Sequence, residues 1–206
     1  MNEKYVALTF DDGPNNIVSP AVLDRVEKYN VVATFFVNGK NISDDVKAVM
    51  DRALSLGCEY QNHSQNHKNM TEIDKQEIEY EINKTNELVE KYTGKKPEFF
   101  RPPFISVNDL MFDTIDLTFI SGTCSQDWSV DEPKEETAKI ILSNVKAGDV
   151  ILLHDSDYNM KTAEALDIIV PALLEQGYKF VTVSKLFDVY KTNKKKGIVY
   201  SNAINF

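Results

Sequence analysis

The chain has 206 residues, 32 acidic against 23 basic side chains, a formal net charge of −9 and three histidines. That length suits one domain with a buried core, and 42% hydrophobic with 27% charged residues excludes a disordered chain, a disulfide scaffold or a collagen-like repeat. No apolar run is long enough to cross a bilayer, no secretory signal is visible before the first strand-like segment, and the acidic balance argues against nucleic acid as a partner.

Apolar runs alternate with helical stretches, the pattern of an α/β protein. Tyr5 to Phe10 reads as a strand ending in the turn Asp11-Asp12-Gly13-Pro14, and Pro20 to Tyr29 as a helix. Val31 to Val37 is almost wholly apolar, as a strand covered on both faces should be. Ser43-Asp44-Asp45 opens a helix that Gly57 stops, and Glu59 to Asn62 is a third strand. Ile78, Ile82, Val89 and Tyr92 give Thr71 to Thr93 a helical period closed by Gly94, with Thr71 and Asp74 a loose capping pair.

Glu98 to Phe100 leads into Arg101-Pro102-Pro103, where neither a helix nor a central strand can continue. Leu117 to Ile120 is another short apolar run, Pro133 to Ala147 a helix, and Val150 to Leu153 a buried strand. Thr162 to Gln176 is a helix, Phe180 to Val183 a last strand, and Leu186 to Tyr190 a short terminal helix. Cys58 and Cys124 are too few and too far apart for a metal motif and read as two buried free thiols, with a disulfide left open. Lys194-Lys195-Lys196 reads as a solvated tail.

The chemistry-bearing residues are concentrated at the ends of these segments. In His63-Ser64-Gln65-Asn66-His67, a helical turn would project both imidazoles from one face, a spacing suited to two ligands of one divalent ion. The plainer alternative is two surface histidines on a polar loop. Asp11-Asp12 follows the first strand, where α/β barrels place their active sites. On an extended segment the two carboxylates would point opposite ways, one towards a metal and the other free to act as a base. His154 ends the strand from Val150 and suits a general acid, although a capping role would also explain it. Arg101, between aromatics and two prolines, could clamp a carboxylate bidentately, and Trp128 could be core, a sugar platform or the wall of a small apolar pocket.

In order, Thr9-Phe10-Asp11-Asp12-Gly13-Pro14, the His63–His67 segment, Arg101-Pro102-Pro103-Phe104, Asp127-Trp128 and Leu152-Leu153-His154-Asp155 resemble the signature of carbohydrate esterase family 4, the polysaccharide deacetylases. The resemblance spans Tyr5 to about Val183. It implies a distorted parallel (β/α) barrel of about seven strands, read here as one catalytic domain over residues 1–206 with motifs within 5–183 and a C-terminal extension over 184–206. It implies Asp12, His63 and His67 as metal ligands, Asp11 as general base and His154 as general acid. Arg101 would pair with the base and Asp127 tune the acid. Trp128 and Leu152 would wall an acetyl pocket, and the Phe104 main-chain N–H would face the oxyanion.

The implied activity is removal of N-acetyl groups from peptidoglycan N-acetylglucosamine or chitooligosaccharide, with release of acetate. An O-acetyl esterase on acetylated xylan is the alternative, and an inactive carbohydrate-binding protein a third reading. The expected cofactor is one divalent ion, zinc, with cobalt or nickel as substitutes, and the expected state a monomer. Localisation stays open between a cytoplasmic protein and a piece of a secreted one. Two departures stand out: Phe104-Ile105 occupies a place where the family usually has Tyr-Gly, and Cys124 a place where it often has Asp.

Overall fold

A computed structural model describes residues 3–129 and 131–204. Among the described residues nine strands form one sheet: β1 (Lys4–Asp11), β2 (Ala33–Val37), β3 (Glu59–Asn62), β4 (Phe99–Phe100), β5 (Thr118–Ile120), β6 (Thr123–Cys124), β7 (Val150–His154), β8 (Tyr178–Phe180) and β9 (Val199–Tyr200). Their order is β6-β7-β1-β2-β3-β4-β5-β9, with β8 paired to the start of β1. Every strand pairing is parallel. The sheet curls into a partly closed barrel, and the end of β9 with the residue after it spans the gap through Ser121 N–H to Tyr200 O and Val150 N–H to Ser201 O. The expected distorted barrel is therefore present, with nine strands rather than about seven.

The two-residue period of β1 sorts its side chains. Val6, Leu8 and Phe10 face outward into the main core, shared with α1 (Val18–Lys28), α2 (Lys47–Ser55), α5 (Lys134–Asn144) and α6 (Met160–Glu175). Ala7 faces inward with Phe36, Phe99, Ile120, Val150 and Tyr200, capped by α7 (Val183–Tyr190). Thr9 and Asp11 share the parity of Ala7, so the same alternation that builds the core lifts a carboxylate to the mouth of the barrel. In β7, Val150, Leu152 and His154 follow the same rule.

Several boundaries differ from the sequence reading. The long helix α3 (Lys75–Thr93) starts four residues later than expected, because the Asp74 side chain accepts the Glu77 N–H and caps it, while Met70–Glu72 form a separate 3-10 turn. Pro133 is the cap of α5 rather than part of its first turn. The apolar run at Phe180 to Val183 splits: the strand ends at Phe180 and α7 begins at Val183 under a Thr182 cap. The last strand is β9, and α4 (Asp109–Thr114), β6 and β9 were not anticipated. No helix among the described residues is long and apolar enough to cross a membrane. Cys58 is a buried free thiol as expected, whereas Cys124 is free but exposed, because β6 is an edge strand.

Tyr200 is fully buried between Phe187 and the strand ends. Tyr200→Ala should therefore lower the unfolding free energy by about 3–5 kcal/mol in urea titration; a loss below about 1 kcal/mol would show that β9 is dispensable to the core.

Candidate active site

The C-terminal ends of β1, β3, β4, β6 and β7 converge on one pocket of about 500 Å³. Asp11, Asp12, His63, His67, Phe104, Trp128, Leu152 and His154 line it. Arg101 and Asp127 are buried directly behind, each bonded to a lining residue. All ten residues singled out from the sequence are thus brought together.

Their local geometry departs from the sequence picture in two places. Asp12 is not extended: its φ of 76° swings its carboxylate back toward the histidines. Asp11 Oδ2 and Asp12 Oδ1 consequently lie 3.8 Å and 3.6 Å from the same atom, His63 Nε2. The His63–His67 segment is not a helical turn either, since Ser64 and His67 have φ of 67° and 57°. The chain doubles back there because Asn62 Oδ1 accepts the Ser64 N–H, Ser64 Oγ accepts the His67 N–H, and buried Glu81 of α3 accepts both the Asn66 N–H and its side-chain amide. A fold-wide scaffold rather than helical periodicity aims the two rings.

Asp12, His63 and His67 each present a ligand atom within 4.8 Å of the other two. His67 Nε2 is 3.5 Å from Asp12 Oδ1. His63 Nδ1 bonds the Arg101 carbonyl at 2.7 Å, which fixes the tautomer and leaves Nε2 as a lone-pair donor toward the triad. Burial, reinforced by His63, lowers the pKa of His67 and favours its neutral form. For Asp12 burial acts upward, but the three histidines and the Asn38 amide outweigh it and hold the carboxyl below its usual range. Two imidazoles and one carboxylate form a donor set suited to a divalent cation of the zinc type.

Asp11 is almost fully buried and receives Arg101 Nη1 at 2.5 Å. The same nitrogen reaches Thr9 Oγ1 at 2.8 Å and Nη2 reaches the Ser121 carbonyl at 3.0 Å. The expected bidentate fork is not formed, because Arg101 divides its donors among three acceptors. Across the pocket, His154 Nδ1 is 3.0 Å from Asp127 Oδ1, while Asp127 Oδ2 accepts the His154 N–H at 2.8 Å and Thr162 Oγ1 at 2.7 Å. Burial pulls the His154 pKa down, but the bond and charge of Asp127, with Asp11 and Asp12, overcome it and raise it to about 9. Trp128 packs edge-on against His154, their centroids 5.5 Å apart.

Several participants escaped the sequence reading. Asn38 donates to Asp12 Oδ1 at 3.0 Å and Ser156 to Oδ2 at 3.2 Å, gripping the carboxylate from both sides. Asp155 points away from the pocket and ties β7 to the turn after β1, accepting Gly13 N–H and Ser19 Oγ–H. A Cβ on Gly13 would strike that carboxylate, which explains the glycine. Tyr158 and Cys124 also line the pocket. Asp155 and Cys124 carry a sequence signal, the first beside His154 and the second at a departure from the family's motif, whereas Asn38, Ser156 and Tyr158 carry none.

A polysaccharide deacetylase family model matches residues 1–118, and the chain belongs to that family. It is 43% identical over 192 residues to a bifunctional xylanase/deacetylase of Pseudobutyrivibrio xylanivorans, covering 93% of this chain and 32% of the relative. It is 36% identical over 185 residues to the peptidoglycan-N-acetylglucosamine deacetylase PgdA of Listeria monocytogenes, covering 89% of this chain and 39% of the relative. A family 4 acetyl xylan esterase from Clostridium thermocellum, solved with a cobalt ion, superposes with a TM-score of 0.93 at 39% identity, over 97% of this chain and 98% of that one. The chain spans 32% and 39% of the length of these two curated relatives.

The Asp127–His154 pair has a direct titration signature. Its folded pKa lies above the unfolded value of 6.5, so the stability it contributes is complete below 6.5 and lost as pH rises through about 9. In metal-free protein, the NMR titration midpoint of His154 should sit near 9 and fall toward the ordinary histidine value in Asp127→Asn; an unmoved midpoint would mean that Asp127 does not set it.

Proposed function

We propose that the protein is a metal-dependent hydrolase that removes N-acetyl groups from an acetylated glycan, peptidoglycan N-acetylglucosamine or chitooligosaccharide, and releases acetate. The observation that carries this reading is the pairing across one pocket: an Arg101-bound carboxylate on one side of the Asp12–His63–His67 triad and an Asp127-bound imidazole on the other. An acyl transfer with a poor leaving group needs a base and an acid placed in just this opposed way.

Asp12, His63 and His67 would hold the ion, zinc in this proposal, with cobalt or nickel able to replace it. When bound, such an ion polarises a carbonyl and makes water more acidic. Asp11, held in place by Arg101, takes the proton of the attacking water. The Phe104 main-chain N–H stabilises the developing oxyanion. His154 is largely protonated at neutral pH, since its pKa is raised to about 9, and donates to the departing nitrogen. Trp128 and Leu152 enclose the acetyl methyl group. The pocket is built from elements of a single chain, which suits action as a monomer.

A second reading, O-acetyl ester hydrolysis on xylan, is favoured by the names of two similar proteins, a xylanase/deacetylase and an acetyl xylan esterase. The same base, acid and triad would serve it, because an ester is the easier substrate.

Acetate release from acetylated chitooligosaccharide and from acetylated xylan, with chelator and with restored zinc or cobalt, tests both readings. Release that depends on the ion is expected, and no release from either substrate by the ion-loaded protein would overturn both. Asp11→Asn should lower kcat by about 100-fold or more at unchanged ion content, whereas Asp12→Ala should lose the ion itself; full ion content and full rate in both variants would refute these roles. His154→Ala should slow amide hydrolysis far more than hydrolysis of 4-nitrophenyl acetate, whose leaving group needs no proton, and equal losses would remove His154 as the acid.

A further inference from the structure

The turn after β4 bends in an unfavourable way. Phe104 and Ile105 have φ of 59° and 53°, two successive residues in the left-handed region, and neither is glycine. For a β-branched side chain that conformation is the least tolerated of all. The turn is held by Ile105 N–H to Pro102 O at 3.0 Å and Ser106 N–H to Pro103 O at 3.2 Å, bonds that a glycine at 105 would keep without the strain.

Core packing does not repay the isoleucine. Its side chain is 39% exposed and belongs to none of the three apolar clusters. It lies instead on the wall of the pocket, beside Phe104, whose ring packs edge-on against His67 at 4.8 Å. Exposed Trp128 and Tyr158 supply further apolar surface to the same pocket. Strain kept in an apolar residue that joins none of the core clusters points to a contact made only when something occupies the pocket.

We propose that Ile105 is a specificity-determining residue: its side chain packs against the C–H face of the acetyl-bearing sugar ring, so that the site selects an acetyl group carried on a pyranose over a bare acetyl compound. The inference rests on the glycan reading above. An aliphatic group cannot bond the sugar hydroxyls, but it covers the apolar face of the ring and excludes water from it. Phe104, Trp128 and Tyr158 complete the slot.

The test compares wild type with Ile105→Gly, which relieves the strain, and Ile105→Asn, which tolerates the left-handed conformation at similar size but is polar. Two quantities are measured on ion-loaded protein: calorimetric affinity for acetylated chitotetraose and acetylated xylotetraose, and the ratio of kcat/KM on the tetrasaccharide to that on 4-nitrophenyl acetate. Both variants should melt at a higher temperature than wild type, bind the preferred tetrasaccharide at least about fivefold more weakly and lose that ratio to a similar degree. A raised melting temperature with unchanged affinity and ratio would overturn the proposal and leave Ile105 as uncompensated strain. Failure of the glycan deacetylase reading would show separately, as absence of acetate release by the wild type, while the binding measurement still decides the role of Ile105.

Discussion

The site depends on a buried cation. Arg101 is fully buried, its guanidinium stands 4.1 Å above the Phe36 ring, and its donors tie Asp11 and Thr9 of β1 to the Ser121 carbonyl after β5. Its Nε has no hydrogen-bond partner among the described residues. Burying a guanidinium and a carboxylate together costs desolvation that their attraction does not reliably return. Such a pair is a poor way to stabilise a barrel and a good way to keep one carboxylate aimed and dry.

The Arg101 main chain joins the two halves of the pocket. Its N–H bonds the Asn62 carbonyl and its own carbonyl takes His63 Nδ1, so one residue orients both the Asp11 carboxylate and a ring of the triad. Opposite, Asp127 grips His154 through side chain and backbone and is itself held by Thr162 at the start of α6. Asp11, Asp12, His63 and His154 are each backed by a buried partner from a different segment. A shallow cluster of polar residues is thereby made rigid, which is what preorganised catalysis needs.

Much of this was legible in the chain. Side chains with acid, base or ligand chemistry stand directly after apolar runs, and parallel strands bring such positions to one end. Asp11, His63, Arg101 and His154 could therefore be read as neighbours despite their separation in sequence. What was not legible depends on distant contacts. The left-handed backbone of Asp12 and the doubled-back His63–His67 segment depend on partners such as Asn38, Asn41 and Glu81, each supplied by another element. β6 and β9 are two residues long and carry no periodic signal. Tyr158 reaches the pocket from an irregular loop after β7, where local pattern has nothing to say.

The Arg101–Asp11 pair thus serves chemistry rather than stability. The double substitution Arg101→Met with Asp11→Leu tests that role most directly, with unfolding free energy, ion content and acetate release measured on the same preparation. Stability within about 2 kcal/mol of wild type, an ion still held by Asp12, His63 and His67, and loss of acetate release are expected. Acetate release near the wild-type rate in that variant would contradict that role.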